Sequence, residues 1–462
     1  MSVNSFEHYP MTWKPNKKLL KAPLYLTLAE LLEQDIVSGR LAAETKLPPQ
    51  RELADFLDIN LSTITRAFKL FEQKGIIYAV IGKGTFVSPN KATPLGALEK
   101  NQSLIPLGNL RPYYQLNTIA SDTVRRLLQS PSIDRLFRFD TVNDTDWHTR
   151  IAQYWLKNFS LSTSQENIFL TSGTQNALVL LFLTVFQAGD KIATDTFTYT
   201  NFISLARQFR IELIPIISDT KGILPEDLEK KCQQHQIKGI YLVPTNNNPT
   251  GATLTAQRRK TLADIIIKHQ LLLIEDDTYA FINKQQLPPL ASLIPDCTFY
   301  IHGLSKALFP GLRIAYMVVP DRFIKKISLT ANNINTHISL LNAEITSELI
   351  SSGQAQEIIQ QKNRLSEERN RLYRQFFPEV TSENPFALFQ WLPLPKKWKG
   401  YEVETLARQH GVEILCAERF FVGGIIEQSA LRVSICSPEN MEELERGLNI
   451  LTNLLKMIFF YS

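Results

Sequence analysis

Cysteine is scarce in this chain: four in 462 residues, at Cys232, Cys297, Cys416 and Cys436, with no Cys-x-x-Cys pair. That spacing suggests neither a zinc site nor a disulfide framework, so no metal is expected and the compartment reads as reducing and cytoplasmic. Long apolar runs are missing too. The longest, such as Ala177–Phe186, fall well short of the roughly 20 residues a membrane helix takes. Met1–Met11 carries no apolar core of a signal peptide, and no internal repeat is visible. Charge of one sign is also lacking: a formal +5 makes no case by itself for nucleic acid. What remains is an ordinary globular composition, 44% apolar and 21% charged, on a chain long enough for two to four domains.

The stretch Tyr300-Ile-His-Gly-Leu-Ser-Lys306-Ala-Leu-Phe-Pro-Gly-Leu-Arg313-Ile-Ala-Tyr316 organises the rest. Phe299–His302 reads as a buried strand, Gly303 opens a turn, and Ser305-Lys306 stands just past the strand end, where α/β folds place reactive groups. Pro310-Gly311 is a second turn, and Leu312–Val319 reads as a further strand. A lysine held at a strand end near an arginine can serve as a carbonyl-capturing amine, because neighbouring cations and partial burial lower its pKa. A lone Ser-Lys is more often a surface pair. Ser-Lys-x-x-x-Pro-Gly-Leu-Arg, however, resembles the cofactor-lysine segment of fold-type I pyridoxal phosphate (PLP) enzymes, the aspartate aminotransferase superfamily. The resemblance implies that Lys306 forms the internal aldimine and that Arg313 reaches the cofactor phosphate.

From the N-terminus, residues 1–20 read as a loosely ordered arm. Residues 21–88 read as a DNA-binding unit. Leu24, Leu28, Leu31, Leu32 and Ile36 recur at helical spacing up to Gly39. A helix entered through prolines (Leu47-Pro-Pro-Gln-Arg51 to Leu57), a turn at Asp58-Ile-Asn60 and a helix to about Lys74 form a helix-turn-helix. Two short strands around Gly82-Lys83-Gly84 follow as a wing. Leu-Pro-x-x-Arg-Glu-Leu-Ala, Thr-x-x-Arg-Ala-Phe and Gly-x-Gly-Thr-Phe-Val together resemble the winged helix-turn-helix of the GntR regulators. That implies contact with double-stranded DNA by Arg51, by Ser62, Thr63 and Arg66 of the second helix, and by Lys83 of the wing. Pro49 and Leu61 depart from the residues frequent in that family, so base preference does not carry over. Residues 45–85 hold six Lys/Arg against four Asp/Glu, so one module grips weakly and two half-sites are expected.

Residues 89–104 have the proline and polar content of a linker. Over 105–462 strands and helices alternate: Ile168–Thr171, Lys191–Ala193, Glu212–Pro215, Gly239–Val243 and Leu271–Ile274 read as strands. This is the pattern of an α/β domain with a mostly parallel sheet. A long helix over about Ile345–Phe377 leads into a smaller C-terminal α+β portion that ends in a helix at Glu442–Met457. Thr171-Ser172-Gly173-Thr174-Gln175 follows a strand and opens a helix, where free N–H groups suit an anion. An ordinary helix cap has the same look. The string resembles the aminotransferase phosphate cup, making Ser172, Gly173, Thr174 and Gln175 cofactor-binding candidates, beside Ser305 of the lysine segment. Asp195-Thr-Phe-Thr-Tyr199 resembles the segment whose aromatic, here Tyr199, stacks on the pyridine ring. Asn248-Pro-Thr-Gly251 matches the element whose asparagine bonds the cofactor 3′-oxygen. Asp276-Asp-Thr-Tyr279 matches the aspartate that keeps the ring nitrogen protonated and a tyrosine that shares the 3′-oxygen. Leu431-Arg432-Val-Ser434 resembles the strand with the arginine that clamps a substrate carboxylate. Gly303 stands where a Ser or Thr often meets the phosphate, and the region of Phe139 lacks a tyrosine that many members lend across a dimer interface.

A winged helix-turn-helix fused to such a domain resembles the MocR subfamily of GntR regulators. The resemblance implies a PLP-binding transcription factor that pairs head to tail and senses an amino compound, or PLP itself, by aldimine exchange at Lys306. Two alternatives stay open: an active aminotransferase with a DNA-binding appendage, and a DNA-binding dimer whose large domain has lost the cofactor.

Overall fold

The computed structural model describes residues 11–37, 40–41, 45–73, 76–80, 84–88, 104–130, 133–137, 142–282, 287–335, 337–380, 382–423 and 426–460. The chain divides into two compact units, residues 1–100 and 101–462.

In the first unit, α1 (Leu24–Val37), α2 (Gln50–Leu57) and α3 (Leu61–Gln73) precede an antiparallel hairpin of β1 (Ile77–Val80) and β2 (Gly84–Val87). On α3 the apolar residues Ile64, Ala67, Phe68 and Phe71 recur at 3.6-residue spacing and are buried, while Ser62 and Arg66 stay exposed. Asp58 adopts the left-handed conformation (φ 54°) that turns α2 into α3. The wing is braced by residues 45–47: Val87 N–H donates to Thr45 O (2.9 Å) and Leu47 N–H to Thr85 O (2.8 Å). One expectation is corrected here. The segment 11–20, read as part of a loose arm, is anchored at its start: Met11 and Trp13 are buried in this core, while residues 16–19 stay exposed. The Trp13 indole donates to Asp35 (2.9 Å) and meets Phe71 edge-on at 6.3 Å. A buried indole with its N–H satisfied anchors the segment.

The second unit is organised by a seven-stranded sheet of β3 (Ile168–Thr171), β4 (Lys191–Asp195), β5 (Glu212–Ile216), β6 (Ile237–Leu242), β7 (Leu272–Asp276), β8 (Thr298–Gly303) and β9 (Ala315–Val318). The spatial order is β3-β9-β8-β7-β6-β4-β5. Every pairing is parallel except those of β9, which runs antiparallel to both neighbours. All residues of β7 and β8 are buried. They show no alternation because both sheet faces are covered.

Two elements differ from the sequence expectation. The strand expected from Leu312 begins at Ala315, because Pro310–Leu312 forms a 3₁₀ turn and Arg313 takes a left-handed conformation (φ 50°). The single helix expected over about Ile345–Phe377 is two helices, Leu340–Ser351 and Gln354–Phe376. Gly353 breaks it at φ 82°, a conformation glycine adopts without a Cβ penalty. The C-terminal portion is a three-stranded antiparallel sheet, order β10-β12-β11, of β10 (Phe389–Pro393), β11 (Leu415–Cys416) and β12 (Ala430–Ser434). Leu431 and Val433 pack in one core with Leu444, Leu448 and Leu451 of the last helix, Met441–Phe460. Among the described residues no helix is long and apolar enough to cross a membrane.

Candidate functional site

The carboxyl ends of β7 and β8 lie side by side, with Asp276 paired to Ile301. Lys306 follows β8 on a four-residue helix, Leu304–Ala307. Its amine is partly buried and donates to the Leu110 carbonyl at 2.9 Å. Burial lowers its pKa to about 8; Cys436 opposes the shift, while the cations Arg432 and Arg313 add to it.

Around Arg313 the residues of the expected phosphate cup come together. Among the described residues its guanidinium makes only long hydrogen bonds, with Ser305 Oγ at 3.5 Å and Ser172 O at 3.4 Å. It lies so close over Gly173 that a Cβ there would sit 2.5 Å from Nη2. Gly173 (φ 84°) is the N-cap of the helix Thr174–Thr184, whose first N–H groups have no helical acceptor. The buried Gln175 Oε1 has no hydrogen-bond partner among the described residues. The glycine at 303 has a physical reason. A Cβ there would meet Thr174 Oγ1 at 2.5 Å and Thr278 Oγ1 at 2.6 Å, so two hydroxyls fill the space a Ser or Thr would need.

Asp276 is buried and accepts from Tyr241 Oη (3.0 Å) and from Thr278 Oγ1 (2.5 Å). Burial raises its carboxyl to about 6, against the hydrogen bonds from Thr278 and Tyr241 that lower it, with no cation paired to it among the described residues. Tyr241 is held in turn by Phe202, stacked at 3.7 Å and 10°. Tyr199 caps the helix Thr200–Gln208, and its phenol is pushed to about 12 by burial and then by Asp276. The Tyr279 phenol is raised by burial, with Arg432 pulling it down. Asn248 is buried, and its Oδ1 accepts from Arg432 Nη1 at 2.7 Å. Arg432 also donates to Gly108 O at 2.7 Å, and its Nε is buried with no partner among the described residues. Phe420 and Phe389 flank the guanidinium at 4.7 and 5.7 Å, and burial lowers its pKa to about 10.

Tyr241, Thr278 and the carbonyls of Gly108 and Leu110 were not found from the sequence. The Asp-x-x-Tyr spacing marked Asp276 and Tyr279 but gave Thr278 no role, and the other partners are brought by chain distant in sequence. A cleft of about 1190 Å³ lined by Asp146, His148, Asn332 and His337 is formed by none of the candidate cofactor residues. Among the described residues no cluster suits a metal ion.

In the first unit Arg51, Ser62 and Arg66 are exposed and Thr63 is half-buried on α2 and α3. Arg66 is pre-set: its guanidinium lies 3.9 Å over the Tyr25 ring and donates to Tyr25 Oη at 3.2 Å. Lys83 and Phe139 lie outside the described residues.

A winged helix followed by a fold-type I aminotransferase-like unit defines the class of protein. Residues 24–87 match the bacterial regulatory proteins of the gntR family, and residues 115–448 match aminotransferase class I and II. The chain belongs to the GntR regulators that carry an aminotransferase class I and II domain, the MocR architecture. It is 38% identical over 458 residues (98% of this chain, 99% of the relative) to the uncharacterized HTH-type transcriptional regulator YdeF of Bacillus subtilis. It is 28% identical over 305 residues (65% and 69%) to the vitamin B6 salvage pathway transcriptional repressor PtsJ of Salmonella typhimurium. Among solved structures, an archaeal alanine:glyoxylate aminotransferase superposes with a TM-score of 0.71 at 24% identity, covering 77% of this chain and 91% of that one. LysN, the α-aminoadipate aminotransferase of Thermus thermophilus, complexed with N-(5′-phosphopyridoxyl)-L-leucine, gives 0.71 at 22% identity (78% and 94%). The last two likenesses are of fold.

Proposed function

We propose that this chain is a DNA-binding transcriptional regulator whose large unit binds PLP and responds to an amino compound, or to PLP itself, at Lys306. The observation that carries this reading is the convergence on one strand-end site of an amine lowered to about 8, two cations and a buried carboxyl. The residues fit the group. Gly173, with no Cβ, the free N–H groups behind it and the weakly held Arg313 suit a phosphate. Asp276, buried without a cation, suits a protonated ring nitrogen, Tyr199 the ring face, and Asn248 with Tyr279 the ring oxygen. When bound, PLP supplies an electrophilic carbon and an electron sink. The chain's part is to hold Lys306 neutral enough to attack, to keep Asp276 ionised against the ring, and to offer Arg432 to a carboxylate. The vitamin B6 role in the name of one relative supports PLP as a sensed ligand.

In this reading Arg51, Ser62, Thr63, Arg66 and Lys83 grip DNA, and a head-to-tail homodimer presents two such modules. The domain boundaries proposed are the winged unit over 21–88, joined in its core by Met11 and Trp13 of the preceding segment, a linker over 89–104 and the large domain over 105–462.

The test is the visible absorption of the purified chain and of Lys306→Ala, before and after amino compounds are added. A band present in the parent, lost in the variant and displaced by one amino compound is expected. No band after PLP is supplied overturns the reading. Repeated turnover with a keto acid acceptor would move it to an active aminotransferase.

A further inference from the structure

Lys306 has a lysine neighbour to which the function above gives no task. Lys362, on the helix Gln354–Phe376, is fully buried. Its Nζ donates to the Lys306 carbonyl at 3.0 Å and to the Leu308 carbonyl, and it lies 5.5 Å from the Phe309 ring centroid. No carboxylate lies within ion-pair distance of it among the described residues. An ammonium desolvated without a counter-charge is costly, and burial lowers this amine to about 7, with Cys436 opposing and Lys306 adding.

The arrangement explains why a lysine is nevertheless kept there. The helix carrying Lys306 has four residues, so its terminal carbonyls have no helical donors of their own. The chain then leaves through Leu308 at φ −106°, ψ −106°, outside both helix and strand. Two donors on one long side chain satisfy both carbonyls. A neutral amine has two N–H groups, so the contacts do not need the charge.

We propose that Lys362 is a positioning residue: its amine clamps the backbone at Lys306 and just after it, through the Lys306 and Leu308 carbonyls, and thereby fixes where the Lys306 amine stands. The clamp comes from a different helix, 56 residues on in the chain, so it ties the site to the element leading into the C-terminal portion. The assignment rests on the reading of Lys306 given above.

The experiment is trace acetylation of the protein without added cofactor across pH, quantified at Lys306 by peptide mass spectrometry, in the parent and in Lys362→Met, Lys362→Gln and Lys362→Arg. The parent midpoint is expected near 8. Losing the donors in the Met variant releases the segment and lets the amine reach water, so the midpoint rises by about one pH unit or more. The Gln and Arg variants keep donors while differing in charge, and both are expected to track the parent. An unchanged Met profile in a folded protein, or a displacement that follows charge rather than donors, overturns the clamp. If the Met variant does not fold, Gln and Arg decide: parent-like profiles in both support the clamp, and a difference between them that follows charge sinks it. The readout needs no PLP, so it stands whether or not the absorption band appears.

Discussion

At the scale of single residues, the second unit keeps acids where water is excluded, and this has a pH signature. Burial raises Asp195 to about 7, against a 2.9 Å hydrogen bond donated by Ser218, and raises Glu275 to about 7 with Asp277 adding to it. Both folded values lie above the unfolded ones, so between about pH 4 and 7 the native chain holds protons that the unfolded chain has released. Stability from these groups is complete below the unfolded values and is lost as pH rises through 7, at most about 1.4 kcal/mol per pH unit for each group. Asp195→Asn removes one such group. Urea midpoints at a series of pH values should fall less steeply from pH 4 to 7 in the variant, and an identical slope would show that Asp195 is ionised throughout. Nothing local in the sequence announced this. Asp195 opened a string read for Tyr199, and its burial comes from strands and turns that fold over it.

At the scale of elements, what repeats locally was legible and what depends on one backbone angle was not. The strands of the large sheet were visible as short β-branched runs, and Lys306 sits past β8 as its string suggested. The break at Gly353 was hidden because buried apolar residues continue on both sides of it, at Leu349, Ile350, Ala355 and Ile358. Only the left-handed angle separates the two helices. In α3 the sequence marked Arg66, but not the Tyr25 ring beneath it, contributed by α1. A guanidinium stacked in place has less freedom to lose on meeting a phosphate. Arg66→Ala should weaken binding to related and unrelated duplexes alike. It should also reduce the slope of log affinity against log salt by about one. A slope equal to the parent's, measured by fluorescence anisotropy, would remove Arg66 from the phosphate contacts.

At the scale of the whole molecule, a weakly charged module becomes a regulator only when ligand binding and DNA binding share free energy. If an amino compound changes operator affinity by some factor, the operator changes affinity for that compound by the same factor. Titrating the compound with and without operator duplex, and the duplex with and without the compound, should return equal ratios; unequal ratios at equilibrium would mean the two events belong to different species. The candidate site holds a feature that bears on how such coupling begins. Arg432 already spends one N–H on the Asn248 side chain and another on the Gly108 carbonyl. A carboxylate arriving at Arg432 therefore competes with the asparagine proposed to meet the cofactor ring. A carboxylate that takes the Nη1 donor would leave the Asn248 Oδ1 without it, so in the proposed reading the pocket at rest is latched rather than open, and the carboxylate is the guest that turns the key.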